Sequence, residues 1–183
     1  MKKITSLIIV MTIVLSMFSM SIVSVGAASY TCGDYTYTLN ENSEAIITRY
    51  SGDEVDLVIP STLDGYVVTE IGSGVFWINQ TIEYVTLPEN LKKIDRDAFK
   101  LSNIVEVDFN DKLTYIGELA FYSCSKLKKV NLPDSVEFID EQAFGGCSKL
   151  TSVSFPAAVT IVYNAFGYCS NLTTASFPKV TSI

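Results

Sequence analysis

The side chains that most often perform catalysis are absent from this sequence or scattered through it. The chain has no histidine, which excludes Ser-His-Asp and Cys-His arrangements and every histidine-based metal site. Two groups of carboxylates are close enough in sequence for acid–base chemistry: Asp53-Glu54 with Asp56, and Asp95 with Asp97. Both groups lie in predicted turns or short strands on the solvent side, where solvated charges are the simpler interpretation. We therefore predict that the protein is not an enzyme and needs no cofactor.

Four cysteines are the remaining candidates for chemistry. Cys124, Cys147 and Cys169 are 23 and 22 residues apart, and each opens a Cys-Ser-x-Leu tetrapeptide. Zinc ligands usually come in close pairs such as Cys-x₂-Cys, so this spacing argues against a metal site. A cysteine that recurs with a repeat is typical of a small buried apolar residue, and we predict that role for these three. Cys32 stands alone, and disulfide formation is the alternative in an exported chain.

The cysteine spacing belongs to a repeat that runs through most of the chain. Five phenylalanines recur at intervals of 23, 22, 23 and 22 residues. A fixed period of this size is the sequence signature of a solenoid, in which each coil stacks on the next and the same side chain recurs in one layer of a continuous core. The five residues are Phe76, Phe99, Phe121, Phe144 and Phe166.

Each repeat contains a segment in which apolar and polar residues alternate, as they do in a half-buried strand. Residues 127–133 are an example, and the proline that ends this segment cannot continue a hydrogen-bonded ladder. A second short extended piece follows at 136–139, and then a compact turn at 140–144. The sequence therefore predicts an α/β repeat solenoid that is predominantly parallel β-sheet with short helical turns.

The repeated pattern resembles that of a known family. Residues 116–133 read Ile-Gly-x-x-Ala-Phe-x-x-Cys-Ser-x-Leu-x-x-Val-x-Leu-Pro, which is similar to the BspA-type leucine-rich repeat of bacterial surface proteins. Residues 35–50 resemble the β-hairpin that opens many such proteins. The resemblance implies an N-terminal cap of a β-hairpin plus a strand at 29–59. A leucine-rich repeat solenoid of about five coils, truncated in the middle of a repeat, is expected at 60–183.

The first residues of the chain predict export. Lys2 and Lys3 precede a largely apolar stretch at 4–25, and the small residues at 26–28 suit cleavage by a signal peptidase. We predict a secretory signal peptide at 1–28, with an uncleaved membrane anchor as the alternative. No membrane insertion is expected after cleavage. The mature protein is therefore predicted to be secreted or to lie on the bacterial cell surface.

The charge of the chain restricts its partners. The formal net charge is −7, and the sequence contains no basic cluster. Nucleic acids and anionic membrane surfaces are therefore not expected to bind.

The last residues predict that the chain is a fragment of a longer gene product. Residues 179–183 begin another coil, after which the sequence stops. A solenoid needs a polar cap at each end, because otherwise a strand edge and an apolar layer face water.

The predicted working surface is the outward side of the parallel sheet. Residues that alternate with the buried Val and Leu positions point outward, and solenoids use such surfaces for recognition. An ordinary solvated sheet is the alternative. Tyr84 and Trp77 are the aromatic side chains that could anchor a partner. The candidate binding residues are Tyr84, Thr86, Glu106, Asp108, Lys129, Asn131, Ser152, Ser154, Thr174 and Ser176.

Export, repeat architecture and the lack of catalytic groups favour a non-catalytic binding protein. The resemblance implies adhesion to an extracellular protein, either a host matrix or plasma protein or a protein of the surrounding microbial community. Two alternatives stay open. The chain could be an accessory recognition module of a larger secreted peptidase or glycan-degrading enzyme whose catalytic domain lies beyond residue 183, or it could be a structural component of the cell envelope.

Overall fold

The computed structural model describes residues 28–155 and 160–176. Except for Ala28, the predicted signal peptide lies outside these ranges, and so does the predicted truncated end at 179–183. The strands of the described part are β1 (Ser29–Cys32), β2 (Tyr35–Leu39), β3 (Ala45–Tyr50), β4 (Asp56–Val58), β5 (Thr62–Leu63), β6 (Tyr66–Ile71), β7 (Tyr84–Thr86), β8 (Lys93–Ile94), β9 (Glu106–Asp108), β10 (Tyr115–Ile116), β11 (Lys129–Asn131), β12 (Phe138–Ile139), β13 (Ser152–Ser154), β14 (Thr160–Ile161) and β15 (Thr174–Ser176).

Parallel strands from successive coils form the two sides of a solenoid. The three-residue strands pair in the orders β4-β7-β9 and β11-β13-β15, and we call these six the front strands. The two-residue strands pair in the order β8-β10-β12-β14, and they continue through β6 and β3 into the N-terminal strands. We call this second set the back sheet. The predicted leucine-rich repeat solenoid of mostly parallel strands is therefore confirmed.

An antiparallel hairpin covers the N-terminal end of the solenoid, as predicted. β2 pairs with β3, and β1 adds a third antiparallel strand beside β2. The tight turn is closed by Asn40, whose Oδ1 accepts hydrogen bonds from the backbone N–H of Asn42 and of Glu44 at 2.9 Å each. Tyr37 is buried under the hairpin, and its hydroxyl donates to Asp64 Oδ2 at 2.8 Å. The predicted boundary between cap and solenoid at residue 59 stays a prediction.

The phenylalanines of successive coils stack into one column in the core. Neighbouring ring centroids are 4.7, 5.0, 5.0 and 5.2 Å apart, and the ring planes differ by at most 7°. These distances are close to the spacing of neighbouring strands, because each coil supplies one ring. Burying an aromatic or aliphatic side chain of this size contributes roughly 1.5–3 kcal/mol. The fully buried members of the column are Phe76, Phe99, Phe121 and Phe144.

The turns that carry the phenylalanines are not helical, so the prediction of short helical turns is wrong for the described residues. Phe99 N donates to Ala120 O in the next coil at 2.7 Å, whereas Lys100 N donates within its own turn to Asp97 O at 3.1 Å. Asp97 and Leu101 have positive φ values of 56° and 59°. Because alternate N–H groups point to the next coil, a continuous helical pattern cannot form. Within the described part, no helix is long and apolar enough to cross a bilayer.

The cysteines that recur with the repeat are free thiols with a polar task. Cys124 and Cys147 are fully buried, which confirms the predicted burial for these two, and Cys169 is partly buried. Each thiol donates to the carbonyl oxygen of the phenylalanine in the preceding coil, as from Cys124 Sγ to Phe99 O at 3.1 Å. Burial raises the pKa of the Cys124 thiol to about 11. These cysteines therefore satisfy buried backbone acceptors and are poorly suited to nucleophilic chemistry.

Candidate binding face

The predicted binding residues lie in two columns on the front strands. The register pairs Tyr84 with Glu106, and Thr86 with Asp108. The middle residue of each front strand up to β13 points into the core, so its two neighbours face outward. The remaining predicted residues occupy two columns on β11, β13 and β15, namely Lys129, Ser152 and Thr174 in one and Asn131, Ser154 and Ser176 in the other.

The structure adds two residues that the sequence analysis did not include. β4 pairs in parallel with β7, which places Asp56 beside Tyr84 and Val58 beside Thr86. Both added side chains are exposed, and Val58 retains 69% of its accessible surface. The alternation at residues 55–59, followed by Pro60, was the available signal, because the other front strands carry the same pattern. We define the front face as the outward residues of the six front strands.

The front face is divided into two groups. β9 pairs with β7 but not with β11, so the predicted residues before and after this point belong to separate sheets. The coil of β9 differs from its neighbours at two positions, since Phe109 occupies the core position and Asn110 replaces the proline. Phe109 is partly buried and packs edge-on against Phe121 at 6.1 Å. The division leaves the facing edges of β9 and β11 without a strand partner.

A cleft of about 280 Å³ lies at this division. Its walls include Tyr84 and Glu106 on one side and Lys129 and Asn131 on the other, with Val107 among the apolar residues between them. Four of the ten predicted residues therefore line one concave site. Concave surfaces with an apolar floor and a few polar groups are the usual form of binding sites.

A second cleft, of about 310 Å³, lies between the cap and the first front strand. It is lined by Tyr35 and Tyr50 together with the carboxylates of Asp34, Glu54 and Asp56. Burial, and after it the nearby Tyr50, Asp34 and Glu54, raise the pKa of Tyr35. This cleft is therefore a negatively charged site with aromatic walls. It adjoins the front face through Asp56.

Charge changes sign along the front face. The first three front strands carry Asp56, Glu106 and Asp108, all exposed. Lys128 and Lys129 follow at β11, and the outward residues of β13 and β15 bear only hydroxyl groups. The face thus has an acidic part near the cap, a short basic part, and a hydroxyl-rich part.

The other candidates from the sequence lie elsewhere. Trp77 is 56% exposed in the turn after Phe76 and is not part of the front face. Asp95 and Asp97 form ion pairs with Lys93, Arg96 and Lys100, so these carboxylates already have basic partners. Within residues 28–155 and 160–176, no group of three or more acidic, cysteine or histidine side chains is arranged to hold a metal ion.

The stacked parallel strands, the continuous column of phenylalanines and the hairpin cap define a leucine-rich repeat solenoid. The sequence profile of the BspA type Leucine rich repeat region matches residues 69–183 in six copies. This chain belongs to the BspA-type leucine-rich repeat family. A comparison with curated proteins finds no match.

Several solved bacterial proteins share the fold. The leucine-rich repeat protein of T. pallidum is 26% identical with a TM-score of 0.63, and the match covers 81% of this chain and 82% of that one. A leucine-rich repeat protein from Bacteroides capillosus is 27% identical with a TM-score of 0.59, covering 81% and 98%. A leucine rich cell surface protein from Faecalibacterium prausnitzii is 24% identical with a TM-score of 0.58, covering 84% and 55%. This last likeness concerns the fold alone.

Proposed function

We propose that this chain is an exported, non-catalytic protein that binds an extracellular protein through the front face. The observation that carries the proposal is the pair of outward columns on β4, β7, β9, β11, β13 and β15, which are polar, exposed and divided by a cleft. Leucine-rich repeat solenoids present such extended surfaces for recognition. The apolar stretch at 4–25 supports a location outside the cell. The partner is proposed to be a host matrix or plasma protein, or a protein of the microbial community.

The core argues for a rigid platform beneath this face. Val85, Val107, Val130 and Val153 alternate with the outward residues and are at most 8% exposed. Outward side chains are therefore held in register by buried neighbours on either side of the strand. A surface held in this way loses little conformational freedom when a partner binds.

The proposal is tested by binding of the full chain to a panel of immobilised matrix and plasma proteins. Binding at tens of micromolar or tighter is expected for at least one of them, as for a transient surface contact. A variant with Ser154→Arg and Ser176→Arg places two large charged groups on the front face, and it should lose that binding. The matched control carries Ser125→Arg and Ser170→Arg, which make the same changes at exposed turn positions.

Two outcomes would count against the proposal. If no protein of the panel binds at tens of micromolar, the proposed function is wrong. If the face variant and the turn variant lose binding equally, the contact lies outside the front face.

A further inference from the structure

The acidic part of the front face contains an ordered group of three side chains. The register places Tyr84 between Asp56 on one neighbouring strand and Glu106 on the other. Adjacent strands are about 4.8 Å apart, so both carboxylates lie within reach of a group that rests on the Tyr84 ring. The ring is available, because Tyr84 is 44% exposed in the middle of a sheet. Two anionic groups thus flank an exposed aromatic surface.

These carboxylates have no basic partner in the part of the chain that the structure describes. Asp56, Glu106 and Asp108 form no ion pair with a described lysine or arginine, whereas six other acidic residues do. The paired residues are Glu44, Glu70, Glu83, Asp95, Asp97 and Glu118.

The division of the sheet contributes to this vacancy of positive charge. Lys129 follows Glu106 along the column, but β9 and β11 are not paired, and no ion pair joins the two side chains. Instead they stand on opposite walls of the cleft. A lysine at the corresponding place on the back sheet, Lys93, closes on its neighbour Glu70 at 2.9 Å.

We propose that Asp56, Tyr84 and Glu106 bind a lysine or arginine side chain from an extended basic segment of the partner protein. This inference rests on the proposed function, because it assigns a partner chemistry to the same face. A cation above a tyrosine ring is attracted by the ring, and the flanking carboxylates accept its N–H groups in charge-assisted hydrogen bonds.

The surroundings extend the site to more than one basic residue. Asp34 and Glu54 line the cleft next to the cap, which also contains Asp56. Asp108 lies on the other side, one column away from Glu106. An extended segment that crosses the strands therefore meets carboxylates over the whole distance from the cap to β9. Lys128 and Lys129 then repel further positive charge, so the basic part of the segment is placed toward the cap.

The test uses two labelled peptides, an alternating Lys-Ser octapeptide and a Glu-Ser octapeptide of the same length, with fluorescence anisotropy on the full chain. The Lys-Ser peptide should bind at low salt and weaken as salt screens the charges, while the Glu-Ser peptide should not bind. The double variant Asp56→Asn and Glu106→Gln should weaken Lys-Ser binding by about tenfold. That factor corresponds to removing two charged acceptors from an exposed site. Tyr84→Ala should weaken it by about threefold, and Tyr84→Phe, which keeps the ring, by less than about twofold.

A matched control separates this site from general attraction to an acidic protein. Glu137→Gln with Glu141→Gln makes the same change of net charge at two exposed carboxylates outside the front strands. This control should stay within about twofold of the parent chain. Equal weakening by the two double variants would overturn the inference, and so would failure of the Lys-Ser peptide to bind. Salt-insensitive binding of a neutral oligosaccharide in the cleft, with no binding of the basic peptide, would also overturn it.

The two levels of the proposal fail in different ways. If a panel protein loses binding with Ser154→Arg and Ser176→Arg but binds the Asp56→Asn, Glu106→Gln variant as tightly as the parent, the binding face stands and the basic-segment inference is wrong. If the peptide experiment succeeds and no panel protein binds, the cation site stands and the proposed function is wrong. Circular dichroism melts of each variant exclude loss of folding as the cause.

Discussion

The front and back sides of the solenoid use similar residue types in different orders. On the back sheet the outward column runs Glu70, Lys93, Tyr115, Phe138. Each member contacts the next: Lys93 Nζ lies 2.9 Å from Glu70 Oε1 and 5.9 Å from the centre of the Tyr115 ring, and that ring stacks on Phe138 at 5.5 Å. The column is thus closed on itself.

The front column runs Asp56, Tyr84, Glu106 and then Lys129. Here the tyrosine separates two acids, and the lysine comes after the break between β9 and β11. No described cation neutralises the first three residues. The order of residues along a column therefore determines whether a sheet surface satisfies its own charges or leaves them for a partner.

The difference concerns surface chemistry rather than the core, because one column of phenylalanines supports both sides. Phe121 is fully buried and stacks on Phe99 and Phe144 at 5.0 Å each. Phe121→Ala should lower the free energy of unfolding by about 3–5 kcal/mol, since it leaves a cavity at the centre of the stack. Urea unfolding measures this loss. Phe138→Ala, on the surface of the back sheet, is the control and should lose only about 1 kcal/mol.

Hydrogen exchange decides whether the core is shared. In the Phe121→Ala variant, amides of β9 on the front and β10 on the back should both exchange faster, because both strands flank the same layer. Faster exchange on one side alone would mean that the two sides are stabilised separately.

Truncating the two tyrosines should distinguish the closed column from the open one. Tyr115→Ala removes the stack on Phe138 and the hydrogen bond from Tyr115 Oη to Asp140 Oδ2, which is 2.6 Å long. We expect a loss of about 2 kcal/mol in unfolding free energy. Tyr84→Ala should lose less than about 1 kcal/mol, because its ring has no such partners in the described part of the chain. Thermal melts of both variants measure the difference, and a larger loss at Tyr84 would contradict the comparison.

The front columns could be predicted from the sequence because two periodicities agree there. Alternation within each three-residue strand indicates which side chains point outward, and the repeat of 22 or 23 residues indicates which of them lie side by side. Tyr84 and Glu106 were placed together in this way. Asp56 was not, because the first strand precedes the phenylalanine repeat that set the alignment.

Other features depend on packing that a single sequence does not display. The two-residue back strands are too short for alternation to be recognised, so the column through Lys93 and Tyr115 was not predicted. The break after β9 accompanies Phe109 and Asn110, which looked like small departures from the repeat. In the turns, propensity argues against a β-branched residue at positive φ, yet Ile78 has a φ of 57° because its N–H donates to Lys100 O of the next coil.

The closed column should also give the back sheet a pH dependence on the alkaline side. Burial, and after it the hydrogen bond to Asp140, raise the pKa of Tyr115 from 10.0 to about 12. A group whose pKa is raised by folding stabilises the folded state below its unfolded pKa, and this contribution is lost as the pH rises through the folded value. Between about pH 10 and 12 the parent chain should therefore lose more stability than Tyr115→Phe does. Urea unfolding at several pH values measures both, and parallel profiles would contradict this assignment.

The smallest effect is expected where the back sheet reaches the cap. Lys92 Nζ lies 2.7 Å from Glu44 Oε1. This hydrogen bond first, and then the one from Asn40, lower the pKa of Glu44, while its burial acts in the opposite direction. Because folding lowers this pKa, the stabilisation is present at neutral pH and is lost as the pH falls from about 4.5 through the folded value.

Glu44→Gln should accordingly flatten the acid side of the stability profile, by a small amount because Lys92 is half exposed. Lys92→Met should flatten it in the same way, and the double variant should add nothing further, since either single change already removes the pair. Urea midpoints between neutral pH and about pH 3 measure the three profiles. Additive effects of the two changes would mean that Glu44 and Lys92 act independently, and the closed pairing of the back sheet would then end at β8 rather than continue into the cap.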